Sequence, residues 1–149
     1  MEHRSHSDWQ DEWQTPNRPR GVAEATIMPR YFVDDEVLHG LSGDRLRTVA
    51  TTICGDAVEA TKLIHAIVPK SSLSRRGKLN LTQSEQTDRL SRLFSQAQDA
   101  FQDLEDAREF MRRPHPELGN RRPIDAAMTE LGGRAVERIL DSILYGLPV

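Results

Sequence analysis

The pattern of apolar and polar positions changes near residue 44. Before it, residues 1–30 are polar, carry Pro16, Pro19 and Pro29, and show no sustained period. Such a stretch buries too little apolar surface to fold alone, and it is expected to be largely disordered or ordered by a partner. After Asp44, apolar residues return every three or four positions, the period of a helix face. Leu46, Val49, Ala50 and Ile53 predict a helix over residues 43–53, broken by Gly55. Asp56 can cap the next helix, residues 57–66, whose apolar face is Ala60, Leu63, Ile64 and Ile67 and which Pro69 stops. Residues 71–78 read as one short polar-basic helix with a lone apolar anchor, Leu73.

Thr82-Gln83-Ser84-Glu85 has the form of a capping box, in which hydroxyl and carboxylate each take a free backbone N–H. The helix it opens is expected to run to about Gln102, roughly 30 Å at 1.5 Å per residue. Its stripe is Leu90, Leu93, Phe94, Ala97, Ala100 and Phe101, and such a stripe suggests pairing of two copies of the chain. Asp103 caps a following helix, residues 104–112, with Phe110 and Met111 inward. Two prolines, a glycine and an asparagine within residues 114–120 then exclude a continuous helix. Pro123 can open a short helix, Thr129 can cap the last one, and Val136, Ile139, Leu140 and Ile143 fall on one face of it. Gly146 suits the left-handed position past its end, and Leu147-Pro148-Val149 leaves as a short apolar tail.

The predicted fold class is therefore all-α. An arm spans residues 1–40, a helix-turn-helix-like subdomain 41–80, and a small C-terminal helical domain 81–149 joined to it through the long helix. Charge sharpens this division. The net charge of −3 resolves into −4 for residues 1–39, +4 for 40–80 and −3 for 81–149. A basic middle in an acidic chain points to an acidic partner, nucleic acid first. Lys70, Arg75, Arg76 and Lys78 gather with no acid between them. Ser71, Ser72 and Ser74 are short donors of the kind that contact phosphates and base edges. Those seven are the candidate DNA-binding residues, although the turn at residues 66–69 lacks the usual glycine. In the arm, Trp9 and Trp13 stand four apart among acids and would share one face of a helical turn. They read as an anchor onto the protein's own body or as a docking segment for a partner.

Other chemistry is sparse. Cys54 is the single cysteine, so no internal disulfide forms, and it reads as a small core residue in a reducing cytoplasm. The first residues show no apolar run of a signal peptide, and no stretch approaches a membrane span, so a cytoplasmic protein is expected. No Gly-rich phosphate loop, metal-ligand spacing or nucleophile–base pair occurs; the reading is not an enzyme, with no cofactor and no metal.

The C-terminal third carries a resemblance. Met111-Arg112, Pro114-x-Pro116-x-Leu118-Gly119-x-Arg121-x-Pro123-Ile124, then Gly133-x-x-x-Val136-x-x-x-Leu140 and Tyr145-Gly146 form an ordered series. It extends back through Leu81-Thr82-x-x-Glu85-x-x-Asp88-Arg89-Leu90. The series resembles the toxin-binding domain of the Xre/MbcA/ParS antitoxins over residues 44–149, and is most like ParS members. The resemblance implies a bacterial antitoxin that neutralises a RES-domain toxin acting on NAD, by NAD hydrolysis or ADP-ribosylation. It implies occlusion of the toxin's NAD pocket, and assembly of a homodimer with toxin into a hetero-oligomer, a heterotetramer. The toxin-binding residues it suggests are Arg112, Arg113, Asn120, Arg121, Leu144, Tyr145, Leu147, Pro148 and Val149, with Arg122 beside them. Operator DNA would be a second partner. The competing reading is a stand-alone helix-turn-helix regulator whose C-terminal domain only dimerises.

Overall fold

Helix ends fall where side chains can take over the backbone groups that the helix leaves unpaired. The structure, a computed structural model, describes residues 34–72 and 77–146. The Trp9–Trp13 pair, Leu73, Ser74, Arg75 and Arg76, and the tail Leu147-Pro148-Val149 lie outside the described residues. In chain order the elements are α1 (Asp34–His39), α2 (Gly43–Cys54), α3 (Ala57–Ile67) and a 3-10 turn (Lys70–Ser72). There follow α4 (Leu81–Phe101), α5 (Leu104–Arg112), a second 3-10 turn (Pro116–Leu118), α6 (Pro123–Ala126) and α7 (Glu130–Tyr145). Among the described residues there is no strand, only the isolated bridges Ser42–Lys78 and His115–Arg121, and the fold is all-α.

Several predicted caps are in place. The Asp56 carboxylate accepts from the N–H groups of Val58 and Glu59, Asp103 from Asp106, and the Thr129 hydroxyl from Gly132. Gly55 (φ 67°) and Gly146 (φ 61°) close α2 and α7 in the left-handed conformation that glycine adopts without a Cβ penalty.

Two expectations fail, for one reason. The long helix is capped by Asn80, not Thr82: Asn80 accepts from the Gln83 N–H at 2.8 Å, and the Gln83 amide oxygen accepts from the Asn80 N–H at 3.0 Å. The Leu79 N–H donates to the Leu41 carbonyl at 2.8 Å and Lys78 bridges Ser42, so the chain is held out of a helix up to Asn80 and enters α4 there. The same pairing keeps Gly77 and Lys78 out of the helix expected over residues 71–78, of which residues 73–76 lie outside the described residues. Lys70–Ser72 make one 3-10 turn, whereas Gly77 and Lys78 lie outside any helix, with the Gly77 carbonyl accepting from Gly43 at 3.1 Å. Val68, the residue before Pro69, is extended (φ −125°, ψ 123°), which the proline ring favours and which ends α3.

The core is one buried cluster running from Val37 of α1 to Leu140 of α7. α4 lies at its centre, packing against α1, α2, α5 and α7. Leu90, Leu93, Phe94 and Ala97 are buried there with Leu46, Ile53, Met111 and Val136. Each large side chain so placed contributes about 1.5–3 kcal/mol. The α4 stripe that suggests pairing of two copies is thus covered within one chain. Among the described residues, no helix is long and apolar enough to cross a membrane.

Candidate partner-binding site

The α5–α7 region is held from below by α4. Arg89 donates to the carbonyls of Ala127 and Met128 (3.1 and 3.4 Å), and Gln86 donates to Met128 at 3.1 Å. These bonds hold the link between α6 and α7, whose carbonyls at Ala127 and Met128 lie outside either helix. The donors sit about forty positions away in the chain, so no local pattern reveals them. Burial is the main cause that lowers the Arg89 pKa, consistent with a guanidinium drawn under α7.

The turn before α6 is rigid. His115 N–H donates to the Arg121 carbonyl at 3.1 Å, and Asn120 N–H to the His115 carbonyl at 3.0 Å. Gly119 and Asn120 take consecutive left-handed conformations (φ 65° and 61°) that reverse the chain over buried Leu118. The His115 ring accepts from the Glu117 N–H and stands edge-on to Phe110.

The structure distributes the predicted site residues among three roles. Arg112 and Arg122 line two neighbouring hollows, and Arg113 lines one of them. The smaller, about 160 Å³, is lined by Cys54, Glu59 and Leu63 as well as Arg112 and Arg122, and the more open one by Glu59, Glu109, Arg112, Arg113, Pro114 and Arg122. The buried Nε of Arg112 has no partner among the described residues. Arg113 pairs with Glu109 at 3.2 Å on the surface. Arg122 has a tying function: it forks onto Asp125 (2.8 and 3.2 Å) and reaches Glu59 at 3.4 Å, which fastens α6 to α3. Hydrogen bonding to Asp125 raises the Arg122 pKa, and a hydrogen bond from Lys62 lowers that of Glu59. Asn120 and Arg121 are exposed on the turn itself, where Arg121 Nε donates to the Leu118 carbonyl at 3.0 Å.

Leu144 and Tyr145 form the third group. On the last turn of α7, Tyr145 is 71% exposed, Leu144 36%, and Ile143 41%. The exposure of Ile143 corrects its expected place on the inner face; Val136, Ile139 and Leu140 fill the core before the helix runs past it. Sequence periodicity misses this patch because the apolar spacing continues unchanged after the body beneath it ends.

On the basic side, Lys70, Ser71 and Lys78 are exposed, and Ser72 ends the 3-10 turn. Burial pushes the Cys54 thiol pKa up, which disfavours the thiolate a nucleophile would need. Among the described residues no group of three His, Cys, Asp or Glu side chains could hold a metal ion.

The last turn of α7 leaves Ile143, Leu144 and Tyr145 exposed, and exposed apolar surface is a common feature of association sites. Residues 96–146 match the family described as the antitoxin Xre/MbcA/ParS C-terminal toxin-binding domain. The match runs from within α4 to Gly146 and takes in the rigid turn and the exposed end of α7. It supports an antitoxin role with a toxin as partner. Comparison with curated proteins gives no match.

Proposed function

We propose that this chain is the antitoxin of a type II toxin–antitoxin pair. It neutralises a RES-domain toxin by setting the end of α7, with Leu147-Pro148-Val149 beyond it, into the toxin's NAD cleft. The observation that carries the reading is the exposed turn Ile143-Leu144-Tyr145, at the end of a segment matched to a toxin-binding domain. A NAD site accepts a ligand with apolar rings and phosphates, and a tyrosine has an apolar body and a polar tip suited to such a mouth. The RES identity and the NAD chemistry come from the sequence resemblance. Arg113, Asn120 and Arg121, exposed around the rigid turn, supply the polar rim.

In this reading two copies pair and assemble with toxin as a heterotetramer. The complex represses its own operon through Lys70, Ser71, Ser72, Ser74, Arg75, Arg76 and Lys78. The net charge of +4 over residues 40–80 supports the DNA contact.

The test is co-expression with the product of the neighbouring gene, followed by co-purification and an assay of NAD consumption or ADP-ribosylation. The expected result is a stable complex in which the toxin is silent. A neighbour that is not RES-like, or a RES-like protein that stays active in the presence of folded chain, rejects the reading.

A further inference from the structure

One face of α3 is covered by nothing in the described body. Ala57, Val58, Thr61, Ala66 and the stems of Lys62 and Lys70 line a shallow, mainly apolar groove of about 700 Å³, with Val58 62% exposed. The helical residues fall on two neighbouring ridges, 57-61-65 and 58-62-66, the surface into which a second helix packs its side chains, and Lys70 lies just past the helix end. The ionisable residues of the lining are Lys62, His65 and Lys70; no acid is among them. Glu59, on the same helix, is bound to Lys62 at 3.0 Å and to Arg122, so it does not oppose an incoming acid at the Lys70 end.

The chain itself carries a segment of complementary make-up that neither the proposed toxin contact nor the proposed DNA contact uses. Trp9 and Trp13, four apart, would project from one side of a helical turn, and Asp8, Asp11 and Glu12 surround them. They are the two tryptophans of the molecule. Indole rings supply the large apolar area a shallow groove needs, and three carboxylates match the cationic rim. Reach is not limiting. The residues between Trp13 and Asp34 span up to about 70 Å when extended, against a radius of gyration of roughly 13 Å for a body of about 100 residues. Tethering makes the contact intramolecular, at an effective concentration of order millimolar, so even a small groove suffices.

We propose that residues 8–13 of the same chain dock on α3, with Trp9 and Trp13 in the groove between Val58 and Ala66 and their acidic neighbours toward Lys62 and Lys70.

Intrinsic tryptophan emission of the full chain reports on this segment alone. The wild-type emission is expected to be blue-shifted, shielded from acrylamide and unchanged on dilution. Val58→Glu, an exposed position whose change leaves the core intact, is expected to move it to the solvent-exposed maximum, with unaltered far-UV circular dichroism and melting temperature. Lys62→Glu with Lys70→Glu is expected to do the same in part. Solvent-like emission from the wild type overturns the proposal, as does a blue-shifted emission indifferent to Val58→Glu. A shift that fades on dilution also overturns it, because the occupant is then a second copy.

Discussion

A Cβ on Gly132 would stand 1.9 Å from the Ala126 carbonyl oxygen, and one on Gly133 would stand 2.6 Å from Cδ of Arg89. Glycine inside a helix costs about 1 kcal/mol relative to alanine, so the pair is explained by close approach rather than by propensity. Gly132→Ala meets backbone, which cannot step aside, and is expected to destabilise by about 3 kcal/mol. Gly133→Ala meets a side chain, but one pinned by its bonds to Ala127 and Met128, and a smaller loss of about 1–2 kcal/mol is expected. Urea unfolding checks both; wild-type stability for Gly132→Ala would show that α6 and α7 are not locked as described. The Cys54 thiol gives a second expectation at this scale. Its folded pKa is raised, mainly by burial, above the unfolded value. Its contribution to stability is therefore complete below the unfolded pKa and is lost as pH rises through the folded one. Native protein at neutral pH should react with a thiol-specific disulfide reagent far more slowly than unfolded protein, and equal rates would contradict the burial.

Between residues and elements stands the question of which caps are legible in a sequence. Asp56, Asp103 and Thr129 are legible because each is the sole good cap beside a clear apolar period. Asn80 is not, because Thr82-Gln83-Ser84-Glu85 offers a rival box two residues on, and the choice between them is tertiary. Leu41 takes hold of Leu79, and its own N–H is satisfied by the Ser84 hydroxyl at 3.0 Å, so α4 must begin at residue 81. Asn80→Ala is accordingly expected to cost about 1 kcal/mol and Thr82→Ala a few tenths, by the same unfolding measurement. The reverse order would restore the Thr82 box. The helix expected over residues 71–78 does not reach Gly77 and Lys78 for a like reason: composition marks the stretch basic and polar, but the bridge of Lys78 to Ser42 lies outside any local window. Its proposed function stands on charge and is testable. Arg75→Ala with Arg76→Ala should weaken operator binding by tenfold or more at low salt and reduce the slope of log K against log salt by about 2. Unchanged DNA binding would remove the basic segment from that role, whereas toxin neutralisation should survive the change.

For the whole molecule, the apolar period alone identifies the all-α class and most core residues, since burial of Leu46, Ile53, Leu90, Phe94 and Val136 follows directly from their spacing. It does not reveal which elements meet. The ties that set the C-terminal region on the rest are long-range and polar: Arg89 on the link between α6 and α7, Arg122 on Glu59, and Arg108, whose Nε donates to the Thr52 carbonyl at 2.9 Å beside Gly55. Nor does it distinguish Ile143, in phase with the core and yet 41% exposed, from Ile139, which is buried. That last turn of α7 is where the proposed toxin contact begins. With Tyr145 71% exposed, removing its ring takes little from the chain's own packing. In a cleft of a partner the same ring would be a buried anchor, worth 2 kcal/mol or more, or a loss of roughly thirtyfold in affinity. The direct measurement is therefore made in parallel on Tyr145→Ala: its melting temperature, and its inhibition of the purified toxin's NAD-consuming activity. The account predicts melting within about 2 °C of wild type and an inhibition constant raised at least thirtyfold. Full inhibition by the folded variant, or a large fall in melting temperature with inhibition retained, would contradict it.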